Sequence, residues 1–317
     1  MRTLGVDLGG TNLYAVVLDD DETVGHAKRK TPVDGDRKDV VKAIVKAAGD
    51  ALDDAELEVT EVVALGIGTP GVVVDGTIGD SPNVTGFRER FDLAGTLSEK
   101  LEIPVRVAND VTAAAVGEHL LGGGRGAEDL LCVFAGTGVG GGLILGGEPF
   151  EGRHGGAGEF GHMIVRQGGA VCTCGRRGCV EAYAGRRAMQ LTAERAAAAG
   201  RDTVLFEVME EKKRSQATSG VFATALAKGD GFVADLIEDA AAAIAAGIAS
   251  TVNLLDIERV VLGGGLADKL GEPFRRKVQA VLAPLLFLSP TQVELVPAAL
   301  GDEGGAVGAA ILAREAA

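Results

Sequence analysis

The chain has 317 residues, 46% of them hydrophobic, which is enough length and apolar content for a sizeable core and for two domains rather than one. Forty-five acidic residues against 31 basic ones give a formal net charge of -14. That sign excludes a phosphate-backbone partner such as DNA, where Lys and Arg supply most of the affinity. With no Trp and only two Tyr, the acidic excess suits either a cytosol of high salt, whose ions screen dense surface carboxylates, or an ordinary acidic enzyme.

Asp7 interrupts the first hydrophobic segment almost at once, so no signal peptide is read there and the expected location is cytoplasmic. The strand-like run Thr3 to Asp7 enters Gly9-Gly10-Thr11 and resumes as Tyr14 to Leu18, a hairpin bent around a glycine loop. Asp34 to Leu52 carries apolar residues at helical spacing, and Val62 to Gly68 predicts a buried strand ending in Thr69-Pro70-Gly71. Val105 to Ala108 predicts another strand, after which Asn109, Asp110 and Thr112 supply helix-start chemistry before Ala113 to Leu121. The order then begins again, with apolar Leu130 to Ala135, a glycine loop from Gly136 to Gly142, and a strand from Leu143 to Leu145. Strand, glycine loop and strand thus occur twice, about 130 residues apart, as an internal pseudo-repeat with one copy per domain.

Ala188 to Lys228 is helical and charged in composition. Ala240 to Leu255 predicts a buried helix, short of the ~20 apolar residues that a bilayer span requires, so no membrane partner is expected. Val260 to Leu262 is a strand delivering Gly263-Gly264-Gly265, and Gly304 to Ala317 predicts an alanine-rich helix that packs back on the N-terminal domain. The expected division is an N-terminal α/β lobe over 1–110, joined by 304–317, and a larger lobe over 111–303.

Glycine lets backbone N–H groups approach phosphate oxygens, and a threonine hydroxyl adds a donor, so Gly9, Gly10 and Thr11 together with Thr137 and Gly138 suit a polyphosphate clasped between two lobes. Neither loop is a Walker A sequence, and either one alone serves equally as a tight turn. Asp7 is placed to hold the magnesium that bridges phosphates. Gly264 either admits the adenosine end by close backbone approach or forms a helix-start turn. Asn109-Asp110 at a strand exit reads as a catalytic dyad that takes a sugar proton, or as a helix cap, and the two roles are compatible. His162 with Cys172, Cys174 and Cys179 fills a tetrahedral zinc shell and leaves no open position, which makes the metal structural. Glu159 and Glu181 bracket that array, as acceptors for sugar hydroxyls if the metal pins the loop and as surface charges otherwise.

Taken together, these residues resemble the ROK family (repressor, open reading frame, kinase). Asp7-Leu8-Gly9-Gly10-Thr11-Asn12 is similar to its first phosphate motif, and Ala135 to Gly142 to its second. Gly158-Glu159-Phe160-Gly161-His162 and the stretch from Cys172 to Glu181 resemble its signature and zinc motif. The resemblance implies an α/β, two-lobed actin-like, ribonuclease H-like ATPase fold with a structural zinc loop, in a homodimer or homotetramer. It also implies an ATP-dependent hexose kinase that uses ATP, transient Mg2+ and structural Zn2+, with Asn12 among the nucleotide contacts. Asp110 would be the base. Asn83, Asn109, Asp110, Glu159, His162 and Glu181 would contact the sugar, and His162 would bind zinc as well.

Phe87 stands where many glucokinases of the family have tryptophan, so glucose as the expected substrate has fructose, mannose and N-acetylated hexosamines beside it. A non-catalytic sugar sensor is the binding-module alternative. Members that repress transcription carry a helix-turn-helix segment ahead of the kinase-like part, for which a first phosphate motif beginning at Asp7 leaves no room.

Overall fold

The computed structural model describes residues 1–79, 81, 84–287 and 293–317. The chain opens with an antiparallel meander of β1 (Arg2–Leu8), β2 (Asn12–Asp19) and β3 (Glu22–Lys30). β1 and β2 are buried almost throughout, whereas β3 is largely exposed or half-buried and offers no apolar run to read. Helix α1 (Arg37–Asp54) starts where Asp36 accepts from the N–H groups of Lys38 and Asp39, while Asp39 accepts from the Asp36 N–H, a reciprocal cap. Next come β4 (Leu65–Thr69) and a small antiparallel sheet of β5 (Val72–Val74), β6 (Thr77–Gly79) and β7 (Phe91–Asp92). Helix α2 (Leu93–Leu101), β8 (Val105–Asn109) and α3 (Asp110–Leu121) follow. β9 (Leu130–Ala135), β10 (Val139–Leu145) and β11 (Glu148–Pro149) then precede a largely helical stretch. It comprises α4 (Glu181–Ala184), α5 (Arg186–Ala198), α6 (Leu205–Glu211), α7 (Ser219–Ala227) and α8 (Gly231–Leu255). β12 (Arg259–Gly263), α9 (Gly265–Leu282), β13 (Glu294–Pro297) and α10 (Gly304–Ala313) complete the chain.

These elements form two compact units. The first comprises Met1–Glu128, Gly142–Gly158 and Ala299–Ala317, and the second Asp129–Gly141 and Glu159–Ala298. The division expected at residue 110 differs from this one, because α3 packs on α10 within the first unit and the chain returns there at Gly142.

In the first unit the sheet order is β3-β2-β1-β4-β8, with β1, β4 and β8 parallel. Their C-terminal ends are level, since Asp7 pairs with Gly68 and Thr69 with Asn109. All ten residues of α10 are buried, as expected of a helix that is apolar all round. Its backbone lies so close to its neighbours that a Cβ on Gly66 would fall 1.8 Å from the Ala309 carbonyl oxygen, and one on Gly308 would fall 1.6 Å from that of Ala113.

In the second unit β12 lies parallel between β9 and β13. The run read as a buried helix is the C-terminal part of α8, whose start is capped by Asp230. No helix among the described residues is long and apolar enough to cross a membrane.

Candidate active site

Three chemically active side chains of the first unit meet where its parallel strands end, the usual place for ligands in open α/β sheets. Asp7 leaves β1 with Oδ1 shielded from solvent and without a partner among the described residues. The Cβ that Gly68 lacks would stand 3.7 Å from Asp7 Oδ1 and 3.4 Å from Asp110 Cα, and that of Gly305 would stand 2.7 Å from Asp7 Cγ. Burial first, then the negative charges of Asp110 and Asp302, push the Asp7 carboxyl well above the ordinary carboxylate range. An orphaned carboxyl oxygen facing a second acid is a donor set that fits a magnesium ion.

Asn109 and Asp110 carry out the capping that their position suggested. Asn109 Oδ1 accepts from the N–H groups of Val111 (2.9 Å) and Thr112 (3.2 Å), and its Nδ2 donates to the Gly71 carbonyl at 3.3 Å. Asp110 Oδ1 accepts from the Val111 N–H at 3.0 Å. The cap therefore fixes Asp110 at the first helical position of α3. The Gly9 carbonyl accepts from Thr31 Oγ1 at 2.6 Å, the Thr31 N–H donates to the Thr11 carbonyl at 3.1 Å, and Lys30 Nζ reaches Asn12 Oδ1 at 3.1 Å. Gly10 and Thr11 are exposed at the tip of that turn. Asn83 lies outside the described residues. Phe87 is fully buried and stacks on Phe91 with ring centres 5.7 Å apart, so this side chain belongs to the core of the first unit.

In the second unit the Gly136 N–H donates to the Gly138 carbonyl at 2.8 Å and closes a tight turn. The loop is shorter than expected, because β10 already begins at Val139 and takes in Gly140, Gly141 and Gly142. Glycine serves close packing at the last of these, where a Cβ would fall 2.6 Å from that of Ala115. Gly264, at φ +85°, caps α9, and a Cβ there would lie 2.7 Å from the Ala135 backbone, so the turn abuts the start of the Thr137 loop.

Glu181 Oε2 accepts from the Val139 N–H at 3.0 Å. Its Oε1 accepts from Thr173 Oγ1 at 2.8 Å and lies 3.8 Å from Cys172 Sγ. The ligand atoms of His162, Cys172, Cys174 and Cys179 all lie within 4.8 Å of one another. Cys174 and Cys179 are separated by 3.7 Å between sulfurs, and Cys172 Sγ is 3.8 Å from His162 Nδ1. A disulfide needs about 2.05 Å, whereas ligands about 2.3 Å from a tetrahedral zinc stand about 3.8 Å apart, so the cluster fits the metal. Burial, then the neighbouring Cys174, pushes the Cys179 thiol up to about 12, so filling the site would release a proton from a reluctant thiol. The other imidazole nitrogen, Nε2, is 3.9 Å from Glu159 Oε2, near but beyond hydrogen-bond reach.

The family model described as ROK family matches residues 3–316. The chain belongs to the ROK family. It is 34% identical to the glucokinase of Streptomyces coelicolor over 324 residues, covering 99% of this chain and 98% of that one. Against the N-acetylmannosamine kinase of Haemophilus influenzae the identity is 30% over 311 residues, 98% of this chain and 94% of the other. The crystal structure of a ROK family glucokinase from Streptomyces griseus in complex with glucose and AMPPNP superposes with a TM-score of 0.83 at 33% identity, over 99% of this chain and 100% of that one. The mixed α/β architecture expected from the motifs is accordingly that of ROK sugar kinase structures.

Of the residues that the motifs mark for sugar contact in this ROK chain, Asn109 and Asp110 belong to the first unit, and Glu159, His162 and Glu181 to the second. Three side chains beside these residues had no motif to mark them. Thr69 and Ser81 are buried, with hydroxyls that have no partner among the described residues. Arg186 donates to Thr137 Oγ1 at 2.9 Å from the first position of α5. A lone Thr, Ser or Arg is ordinary in sequence, and only the burial of its polar atoms sets it apart.

Proposed function

We propose that this protein transfers the γ-phosphoryl group of ATP to the 6-hydroxyl of a hexose, glucose foremost, with Asp110 as the general base. The chain is an ATP-dependent sugar kinase, the enzyme class of its named relatives. The observation that carries the residue assignment is Asp110, held at the start of α3 by the Asn109 cap, beside the half-buried Asp7 at the level ends of parallel strands. The sugar oxygen attacks the γ-phosphorus in line, the bond from that phosphorus to the departing ADP breaks, and the hydroxyl proton passes to the Asp110 carboxylate. Asp7 would hold the magnesium ion, directly or through water, and that ion would lower the charge on the phosphates. In this scheme Gly9 to Asn12 and Thr137-Gly138 would offer backbone amides and hydroxyls to the phosphates, and Gly264 would admit the nucleoside by close backbone approach.

Asn83, Asn109, Glu159, His162 and Glu181 read the sugar hydroxyls in this scheme. For Glu181 to do so, it must share the oxygen now bonded to Thr173. His162, Cys172, Cys174 and Cys179 would hold zinc with no open coordination position, so the metal orders the loop and takes no part in transfer.

A panel of glucose, fructose, mannose, glucosamine and N-acetylmannosamine in a coupled ADP-release assay tests the proposal, with glucose expected to give the highest kcat/KM. N-acetylmannosamine as the best substrate would select the second reading, which the 30% identical Haemophilus kinase favours. ADP release that no sugar stimulates would refute both.

A further inference from the structure

The guanidinium of Arg186 is surrounded by hydroxyls and helix starts rather than by carboxylates. Nη2 donates to Thr137 Oγ1 at 2.9 Å and Nη1 to Ser219 Oγ at 3.0 Å. The backbone N–H groups of Arg186 and Arg187 donate to the carbonyls of Gly136 and Thr137, both at 3.2 Å. Ser219 opens α7, and a Cβ on Gly265, the opening residue of α9, would lie 3.4 Å from Ser219 Oγ. The N-terminal ends of α5 and α7 therefore meet at one cation, with the start of α9 against Ser219, and each end carries partial positive charge of its own.

Among the described residues no carboxylate pairs with Arg186, and two of the five N–H donors of a guanidinium find acceptors. Nε is sealed from solvent with no partner there. Among the described residues this half-buried cation has no counter-charge, and an anion bound at that point offsets the cation and the neighbouring helix dipoles together. The loop that Arg186 braces is Thr137-Gly138, so the anion belongs beside it.

We infer that Arg186 recognises the phosphate chain of the donor nucleotide through the remaining N–H groups of its terminal nitrogens, with Thr137 and Ser219 fixing the plane of the fork. The inference rests on the kinase reading only in naming the anion as a nucleotide.

Calorimetric titration of the full chain with adenosine, ADP, ATP and tripolyphosphate tests it, using wild type, Arg186→Gln and Arg186→Lys. Arg186→Gln should weaken ADP and ATP about 10-fold or more, as loss of a charged hydrogen-bonding group does, and leave adenosine within about two-fold. Its melting temperature without nucleotide should not fall, and Arg186→Lys should recover part of the loss. Should the glutamine variant fail to fold, the lysine variant still decides, because it keeps the charge and loses the fork.

Adenosine weakened as much as ATP in either variant would mean that Arg186 only braces the loop, and would overturn the inference. So would unchanged ATP affinity, or a dependence on Arg186 seen with tripolyphosphate and not with ADP. A wild type that binds ATP more tightly than adenosine yet phosphorylates no sugar sinks the kinase reading and leaves this one standing.

Discussion

Glu181 accepts the backbone N–H of Val139 at 3.0 Å with one carboxylate oxygen, while the other oxygen is bonded to Thr173 inside the cysteine knuckle. The Thr137 turn and the Cys/His cluster are thereby tied through a single side chain. As isolated, the protein should carry one zinc per chain by elemental analysis, given a donor set that closes the coordination shell. Stripping the metal with a chelator should speed amide exchange at Val139 about 10-fold or more, along with that of the knuckle, because both then open locally. An active preparation without zinc, or a Val139 amide indifferent to the metal, would break the link.

Asp110→Asn should keep sugar binding and lower kcat by roughly 10²-fold or more, the ordinary weight of a general base. The cap survives the change, since Asn109 supplies most of it. Calorimetric sugar affinity and coupled turnover, measured on one preparation, separate the two effects, and turnover near the wild-type rate would remove the base assignment.

How much of this was legible beforehand varies with the kind of residue. The strands β1, β4 and β8 were readable as short apolar runs broken by Gly, Asn or Asp, though not the level of their ends, and the cluster from His162 to Cys179 because thiols have few other uses at such spacing. β3 escaped notice, since an exposed edge strand needs no apolar pattern. The Gly136 to Gly142 segment was overdrawn as loop because composition does not distinguish a glycine that turns from one that packs, such as Gly142 against α3. Arg186 was invisible because its importance lies in which helices end around it, a tertiary fact.

Asp7→Asn should stabilise the free protein while abolishing turnover. The folded-state pKa of Asp7 is raised by burial and by Asp110, so ionising it disfavours folding once pH exceeds about 3.9, the unfolded value. The penalty grows as pH rises from there towards the folded pKa and is then constant. In magnesium-free buffer the variant should match wild type near about pH 4 and melt higher at neutral pH, by about 2 to 4 °C for each kcal/mol recovered. A lower melting temperature at neutral pH would contradict the assigned burial cost.

Asp230 behaves in the opposite sense. Burial alone would raise its carboxyl, but Thr203 Oγ1 and the N–H groups of Val233, Val204 and Phe232 hold it below the ordinary range. The stability it lends is present above the unfolded value of about 3.9 and is lost as pH falls through the folded pKa. Asp230→Ala should therefore cost about 1 to 2 kcal/mol at neutral pH, as removal of a strong N-cap does, and the gap should narrow in acid. Urea melts at neutral and acid pH measure it, and an equal loss at both would point to packing instead.

The burial of α10 against β1, β4 and α3 has a consequence in time. Strands begun at residue 2 stay bare on one side until the chain has grown through residue 313, so during synthesis that surface waits for a helix made about 300 residues later. Closure across that separation is entropically slow. The opening third of the molecule is thus the part most in need of shelter during synthesis.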